Sequence, residues 1–264
     1  MSNSAITKQA VKRAVMKGQP TELNGLRFYG LTMEQYEEWQ SDKSVLLARQ
    51  STLPVFCLTM PFIDALFALD IASLEENHVL AGTMSRILHV LGMALRMPED
   101  SVRTKQIALV THKMELKGFT VTREDGMPQF IPKEIFPQIR QIIAWQQGED
   151  VPDESLNDEL LEDEKWIAQR NAGNLEFSFD SLMASVALNL HKSIGDTYGM
   201  SILEFETMRQ AIDREKKYLI CGIAENSGTK WKGGNPYPSW CYDRKKAESG
   251  TLTHVSKFEG IAQR

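Results

Sequence analysis

The fold class is decided by residues 79–97, VLAGTMSRILHVLGMALRM. Six apolar side chains in this stretch recur at the spacing of one helix face, whereas Arg86, His89 and Arg96 fall on the other side. The apolar set is Leu80, Met84, Ile87, Leu88, Leu91 and Leu95. This pattern predicts an amphipathic helix that buries one face against the rest of the chain.

Helix signals also dominate the sequence on both sides of this stretch. Before it, Thr32 can cap a helix whose third residue is Gln35, and residues 62–74 are apolar nearly all round, which predicts a buried helix. After it, an apolar stripe over residues 132–147 predicts another helix. Pro137 is tolerable only near the start of that helix, where the backbone donors lack partners anyway.

Two further helices are predicted in the C-terminal half of the chain. The first spans about residues 178–194 and is stopped by Gly195. The second begins with a capping box formed by Ser201 and Glu204. We expect the second helix to bury an apolar stripe that consists of Phe205, Met208, Ile212, Leu219 and Ile223.

The apolar period changes between residues 106 and 130. Two β-like runs, residues 107–110 and 119–122, are followed by a turn signal at Glu124-Asp125-Gly126. We interpret this region as a small β-hairpin inserted into a helical body. The fold class is therefore predicted as mainly α.

Charge is distributed unevenly along the 264 residues, which carry a net charge of −5. Residues 1–18 and 227–264 are basic, whereas nine carboxylates lie within residues 149–164. We interpret the acidic stretch as an exposed connection, which predicts an N-terminal helical domain over residues 19–147 and a C-terminal one that follows the connection within residues 148–226. The basic N-terminal segment and an irregular C-terminal tail flank these two halves.

No stretch of the sequence carries a recognisable active site. The chain lacks a phosphate-binding glycine loop, an HExxH pair, a CxxC knuckle and a GxSxG elbow, so we predict no catalytic residue, no cofactor and no metal ion. Its three cysteines have no paired spacing, and we interpret Cys57 as a buried small hydrophobe. Without an apolar run of about 18 residues or a signal peptide, we expect no membrane span and a cytoplasmic location.

The C-terminal tail interleaves aromatic and basic side chains between glycines and prolines. Its candidate partner-binding residues are Trp231, Tyr237, Trp240 and Arg244. Trp, Tyr and Arg are the usual anchors of protein interfaces, and the same chemistry can also stack on bases and neutralise phosphates. We expect this tail to fold back on the body or to become ordered on a partner, with protein favoured over nucleic acid because the body is acidic.

Several segments, taken in order, resemble a known family. They are residues 30–39 (GLTMEQYEEW), 46–54 (LLARQSTLP), 60–67 (MPFIDALF), 136–147 (FPQIRQIIAWQQ) with its acidic sequel, and Thr207-Met208-Arg209 leading to Tyr218 and then to Ala224-Glu225-Asn226-Ser227-Gly228. Over about residues 28–228 this series resembles predicted tail proteins of phages and prophages of Gram-positive bacteria, of the tail assembly chaperone type.

The resemblance implies a non-enzymatic factor of the host cytoplasm that binds the long helical tape-measure protein while tail-tube subunits assemble around it. Helix-in-groove packing would suit such a partner. Two alternatives stay open. One is a structural virion component, such as a connector, tail terminator or baseplate subunit, and the other is an accessory protein that binds nucleic acid through its basic ends. The oligomeric state is left open as well.

Overall fold

The structure is a computed structural model that describes residues 6–76, 82–123, 126–154, 178–231 and 234–241. Its contacts divide the chain into two compact units. The first consists of Met1–Pro152 together with Tyr198–Glu204, and the second of Asp153–Thr197 together with Phe205–Arg264. The predicted acidic connection lies largely outside the described residues, so the predicted domain boundary within it stays a prediction.

Five α-helices are described within Met1–Pro152 of the first unit. They are α1 (Lys8–Met16), α2 (Tyr36–Leu46), α3 (Phe62–Glu76), α4 (Thr83–Ala94) and α5 (Phe136–Gln146). Single 3-10 turns lie at Met33–Gln35, Gln50–Thr52, Val55–Cys57 and Lys133–Ile135. The helix predicted from residues 79–97 is α4, and four of its predicted apolar residues, Met84, Ile87, Leu88 and Leu91, are buried. The stripe therefore faces the core as the helical period predicts.

Two antiparallel sheets complete the first unit. Strands β1 (Thr21–Leu23) and β2 (Leu26–Phe28) form a hairpin, and β3 (Ile107–His112), β4 (Glu115–Thr122) and β5 (Pro128–Pro132) form a sheet in the order β3-β4-β5. The fold is thus mixed α and β, with helix predominant, which corrects the prediction of a mainly α chain with one hairpin. The turn between the first two strands of the sheet lies at Lys113 and Met114, whereas the signal at residues 124–126 leads from β4 towards β5.

The strands that the sequence did not predict, β1, β2 and β5, each have a physical explanation. Asn24 and Gly25 connect β1 to β2 with φ angles of 50° and 77°, and this Asn-Gly pair is the residue pair that a tight hairpin turn prefers. Each strand has only three residues, too few for an alternating pattern to emerge. Strand β5 has proline at both ends, which usually argues against a strand. It is tolerated here because β5 lies at an edge of the sheet.

The N-terminal basic segment contributes to the packing of the first unit. Helix α1 lies against α5 and buries Val11 and Val15. Its N terminus is capped by the Thr7 hydroxyl, which accepts a hydrogen bond from the Ala10 amide at 3.3 Å. Lys8 forms an ion pair with Asp150, with 2.5 Å between Nζ and the carboxylate. The apolar side chains of α1 therefore anchor this helix, and its exposed cations face outward.

Two glutamines at the C-terminal end of α5 form hydrogen bonds that fix the end of β2 and the chain that follows it. The Gln146 side-chain amide donates to the Phe28 carbonyl at 2.7 Å, and the Gln147 side-chain carbonyl accepts from the Leu31 amide at 3.2 Å. A short backbone pairing continues from there, since the Ile202 amide donates to the Leu31 carbonyl at 2.8 Å. This bond, and the bond from the Met33 amide to the Met200 carbonyl at 2.9 Å, join residues 198–204 to the first unit.

Three helices lie wholly or partly in the described residues of the second unit. They are α6 (Phe179–Leu190), α7 (Ile194–Tyr198) and α8 (Ile202–Asn226). The predicted stop at Gly195 is wrong, because α6 ends at Leu190, where His191 takes a left-handed backbone with φ of 53°. Within the described part of the chain, no helix combines the length and the apolar character needed to cross a bilayer.

Candidate protein-binding surfaces

Three of the four predicted tail residues lie within the described part of the chain, and the structure places them in different surroundings. Trp231 is half-buried, and its indole nitrogen has no hydrogen-bond partner among the described residues. Tyr237 is half-buried, whereas Trp240 is 62% exposed. Arg244 lies outside the described residues. Of the three described residues, only Trp240 is strongly exposed.

Tyr237 holds the tail against α8. The ammonium nitrogen of Lys217 lies 5.5 Å from the centroid of the Tyr237 ring, within the range of a cation–π contact. Lys217 also donates to Asp213 at 2.6 Å, one helical turn earlier. The hydrogen bond to Asp213 is the largest cause of a raised pKa of Lys217, partial burial opposes it, and Tyr237 adds to the rise. Lys217 is therefore charged throughout the neutral range, and the contact does not depend on pH there.

We predict that the Tyr237 ring tethers the tail. In Tyr237→Ala, trypsin should cleave after Lys230 a few times faster than in the wild type, because the tail detaches more often. The free energy of unfolding should fall by no more than about 1 kcal/mol, the size of an exposed cation–π contact. Limited proteolysis followed by mass spectrometry measures the cleavage rate. Tyr237→Phe keeps the ring and loses only the hydroxyl contact with Lys217, so its cleavage rate should lie between those of the wild type and the alanine variant. An unchanged rate in the alanine variant would contradict the tether.

Helix α8 exposes an apolar row in its C-terminal half. Leu219 is 54% exposed, Ile220 65% and Ile223 67%. Leu219 and Ile223 lie one helical turn apart on one face, and Ile220 adjoins them. The prediction that Leu219 and Ile223 belong to the core is wrong. Phe205, on the same predicted stripe, is fully buried, so the stripe is covered at its start and uncovered towards its end.

The signal for this surface was present in the sequence. Residues 218–221, Tyr-Leu-Ile-Cys, are four consecutive apolar residues, which widen the stripe beyond one face. Cys221 takes the buried side of the helix, with 6% exposure. Since the sequence after Asn226 shows no further amphipathic period, no later helix was predicted to cover the other side. That combination predicts a wide apolar face on α8, but it does not by itself predict whether another element covers that face.

The first unit carries a separate apolar surface on the turn between Pro54 and Pro61. Its exposed members are Val55, Phe56, Leu58 and Met60, and Val55 reaches 81% exposure. The Gln50 side-chain amide donates to the carbonyls of Cys57 at 2.9 Å and of Met60 at 2.5 Å, which holds the turn in one shape. Cys57 points inward and is fully buried, as predicted, and burial raises the pKa of its thiol.

A polar side-chain cluster between α2 and α4 stabilises the packing of these two helices. Asp42 on α2 accepts from Arg86 Nε at 2.9 Å and lies 2.8 Å from His89 Nδ1, both on α4. This places His89 on the polar side of α4, as the helical period predicts. Among the described residues, no group of three or more His, Cys, Asp or Glu side chains is arranged to hold a metal ion.

The chain matches no family model, no curated protein and no solved structure. Its function therefore has to be argued from its own surfaces.

Proposed function

We propose that this chain is a non-enzymatic protein-binding factor that covers an apolar helical surface of its partner, as a phage tail assembly chaperone does for the tape-measure protein. The observation that carries the proposal is the exposed row of Leu219, Ile220 and Ile223 on α8. Each is a large aliphatic side chain with more than half of its surface in water. A row of this kind at helical spacing is what a partner helix buries.

The energetics favour a protein partner. Burying a single Leu or Ile side chain contributes about 1.5–3 kcal/mol when it is moved fully out of water. Three neighbouring side chains that are more than half exposed can therefore supply much of the free energy of a moderate interface. A tape-measure protein, as a long helix with apolar stripes, would offer the complementary surface. The sequence resemblance to tail assembly chaperones supports a tape-measure protein as the partner.

The double variant Leu219→Gln/Ile223→Gln tests the α8 row directly. Glutamine is a good helix former, and both positions are exposed, so the free energy of unfolding should change by no more than about 0.5 kcal/mol. Partner affinity should fall at least about tenfold, because two apolar contacts are lost. The control is Glu225→Gln, also exposed on α8 but outside the apolar row, and it should bind like the wild type. Equal affinity of the double variant and the control would remove α8 from the interface.

The partner itself is identified by affinity capture of the tagged chain from cells that produce the phage, with mass spectrometry of the eluate and of purified particles. A tape-measure protein in the eluate, with the chain missing from particles, is the expected result. Stoichiometric presence in particles would make the chain a structural virion component. Recovery of nuclease-sensitive material alone would make it a nucleic-acid-binding protein.

A further inference from the structure

The β3-β4-β5 sheet has two outer edges, and its hydrogen-bond pattern shows what each edge offers to a further strand. The Thr122 amide donates to the Gln106 carbonyl at 2.7 Å, so these two residues form a hydrogen-bonded pair of β3 and β4. In an antiparallel ladder, such pairs alternate with pairs whose N–H and C=O groups point away from each other. The register therefore turns the backbone groups of Ile107 and Leu109 towards the outside of the sheet.

The same outer edge continues to Thr111. Lys113 and Met114, with φ angles of 50° and 64°, form a two-residue turn that closes on the hydrogen-bonded pair of His112 and Glu115. Thr111 precedes that pair, so its N–H and C=O groups also point outward.

The outward groups of β3 are open to a further strand. The Ile107 amide donates to the Ser101 carbonyl at 3.2 Å, which agrees with its outward orientation. Among the described residues, no backbone hydrogen bond outside the sheet uses the N–H or C=O groups of Leu109 or Thr111. The edge thus presents a row of backbone donors and acceptors to an extended chain.

The opposite edge of the sheet, formed by β5, is closed to a further strand. The Arg123 amide donates to the Met127 carbonyl at 3.0 Å, which marks a hydrogen-bonded pair and turns residues 128, 130 and 132 outward. Pro128 and Pro132 have no N–H group, so Phe130 is the only one of these three residues that can donate. Prolines of this kind are a usual means of protecting an edge strand.

Strand β3 lacks such protection. Residues 106–111, Gln-Ile-Ala-Leu-Val-Thr, contain neither a proline nor a charged side chain. The bulge in the sheet has its extra residue, Lys117, in β4, so β3 itself stays regular. Leu109 lies opposite Phe119 on the core face of the sheet, but Phe119 is fully buried and Leu109 only half-buried. An apolar side chain on a neighbouring strand would complete the burial of Leu109.

We propose that the open edge of β3 binds an extended segment of a partner protein, which adds a fourth strand to the sheet. Backbone hydrogen bonds along residues 107–111 supply the affinity, and an apolar residue of the segment covers Leu109. The segment that fits carries no cation near Lys105 or Lys113, which are both exposed at the ends of this edge.

The same two lysines disfavour a second copy of this chain as the occupant. Antiparallel pairing with Leu109 opposite itself would bring Lys105 of each copy against Lys113 of the other, and like charges placed opposite each other destabilise a strand pair. The inference does not rest on the proposed function, because the β3 edge and the α8 row are different surfaces with different chemistry. Loss of binding at one surface therefore leaves the other to be judged by its own variants.

Peptides with a blocked backbone test the proposal on the unaltered chain. The probe is a short fluorescent peptide that alternates valine with threonine, titrated by anisotropy. Two modified forms carry N-methyl groups, one on every valine and the other on every threonine. Only alternate N–H groups of a strand face its neighbour, so one modified form should bind at least about tenfold more weakly than the unmodified peptide, and the other should bind like it. Absence of binding by the unmodified peptide, or equal affinities of the two modified forms, would overturn the proposal.

A pair of variants at Thr111 locates the binding site. Thr111 is exposed and its N–H points outward, so Thr111→Pro removes a donor from the edge without breaking the β3–β4 ladder. The matched control, Thr111→Val, keeps the N–H and should bind the unmodified peptide like the wild type. Thr111→Pro should bind it about tenfold more weakly and melt close to the wild type. Equal peptide affinity in the two variants would place the peptide elsewhere, and the methylated peptides decide alone if the proline variant is unstable.

Light scattering tests the competing occupant. The wild type and Thr111→Pro should have the same molar mass in solution. A dimer of the wild type that Thr111→Pro converts to a monomer would show that a second copy occupies the β3 edge, and the proposal of a partner segment would be wrong.

Discussion

Gly118→Ala is expected to lower the free energy of unfolding by about 3 kcal/mol, the upper range for overpacking a well-packed site. Gly118 lies in β4 opposite Pro132 of β5, with a φ of 154°. A Cβ at this position would lie 2.1 Å from the carbonyl oxygen of Ile131 and 3.0 Å from the Phe130 ring. The strand pair would have to separate to admit a methyl group, and the neighbouring Phe119 is fully buried. Urea denaturation followed by circular dichroism measures the loss.

The matched control for this prediction is Gly126→Ala, in the turn that leads to β5. Gly126 has a φ of 78°, and a Cβ there meets no described atom within 4 Å. Alanine should therefore cost only the left-handed penalty of about 1–2 kcal/mol. If both variants lose the same stability, the contact between β4 and the Ile131 carbonyl is not tight in solution, and the clash argument is wrong.

Arg140→Met is the second substitution with a large expected effect, a loss of about 3 kcal/mol in the free energy of unfolding. Arg140 on α5 is 7% exposed. Its Nε donates to the Leu46 carbonyl at 2.7 Å, and one terminal nitrogen donates to the Ala48 carbonyl at 2.7 Å. The guanidinium carbon lies 3.6 Å from the centroid of the Phe62 ring. Methionine keeps much of the volume but leaves carbonyls at the end of α2 without these donors.

Two variants bracket this prediction in the same denaturation experiment. Arg140→Lys retains a positive charge but cannot present two N–H groups in a fixed fork, so it should lose an intermediate amount. Arg103→Met replaces an arginine whose side chain is 85% exposed, and it should change stability by less than about 0.5 kcal/mol. A loss at position 140 no larger than that at position 103 would show that water satisfies the carbonyls of Leu46 and Ala48 equally well.

Most helices could be predicted because their signals are local. The apolar period of α4, the continuous apolar character of α3 and the cap at Thr32 each lie within a few turns of chain. The Thr32 amide indeed donates to the Gln35 side chain at 3.2 Å, as the capping interpretation requires. The β1–β2 hairpin was missed although Asn24-Gly25 signals it, since strands of three residues show no alternation.

The candidate surfaces were only partly predictable. The aromatic and basic composition of the tail is evident from the sequence, but the sequence does not reveal that Tyr237 lies against Lys217 while Trp240 stays exposed. The helical period identified the apolar stripe of α8, but it did not show that the C-terminal part of this stripe is exposed. Whether a stripe is buried depends on which element packs against it, and that partner is specified by the whole chain.

The sequence by itself determined where α3, α4 and α5 form and which faces of these helices are apolar, because these properties follow from backbone geometry over a few residues. Only the tertiary structure decided which apolar faces are covered, why Gly118 admits no side chain, and that the β3 edge of the sheet is open while prolines close the β5 edge. Those outcomes depend on contacts between residues far apart in sequence, which packing establishes and no local pattern encodes.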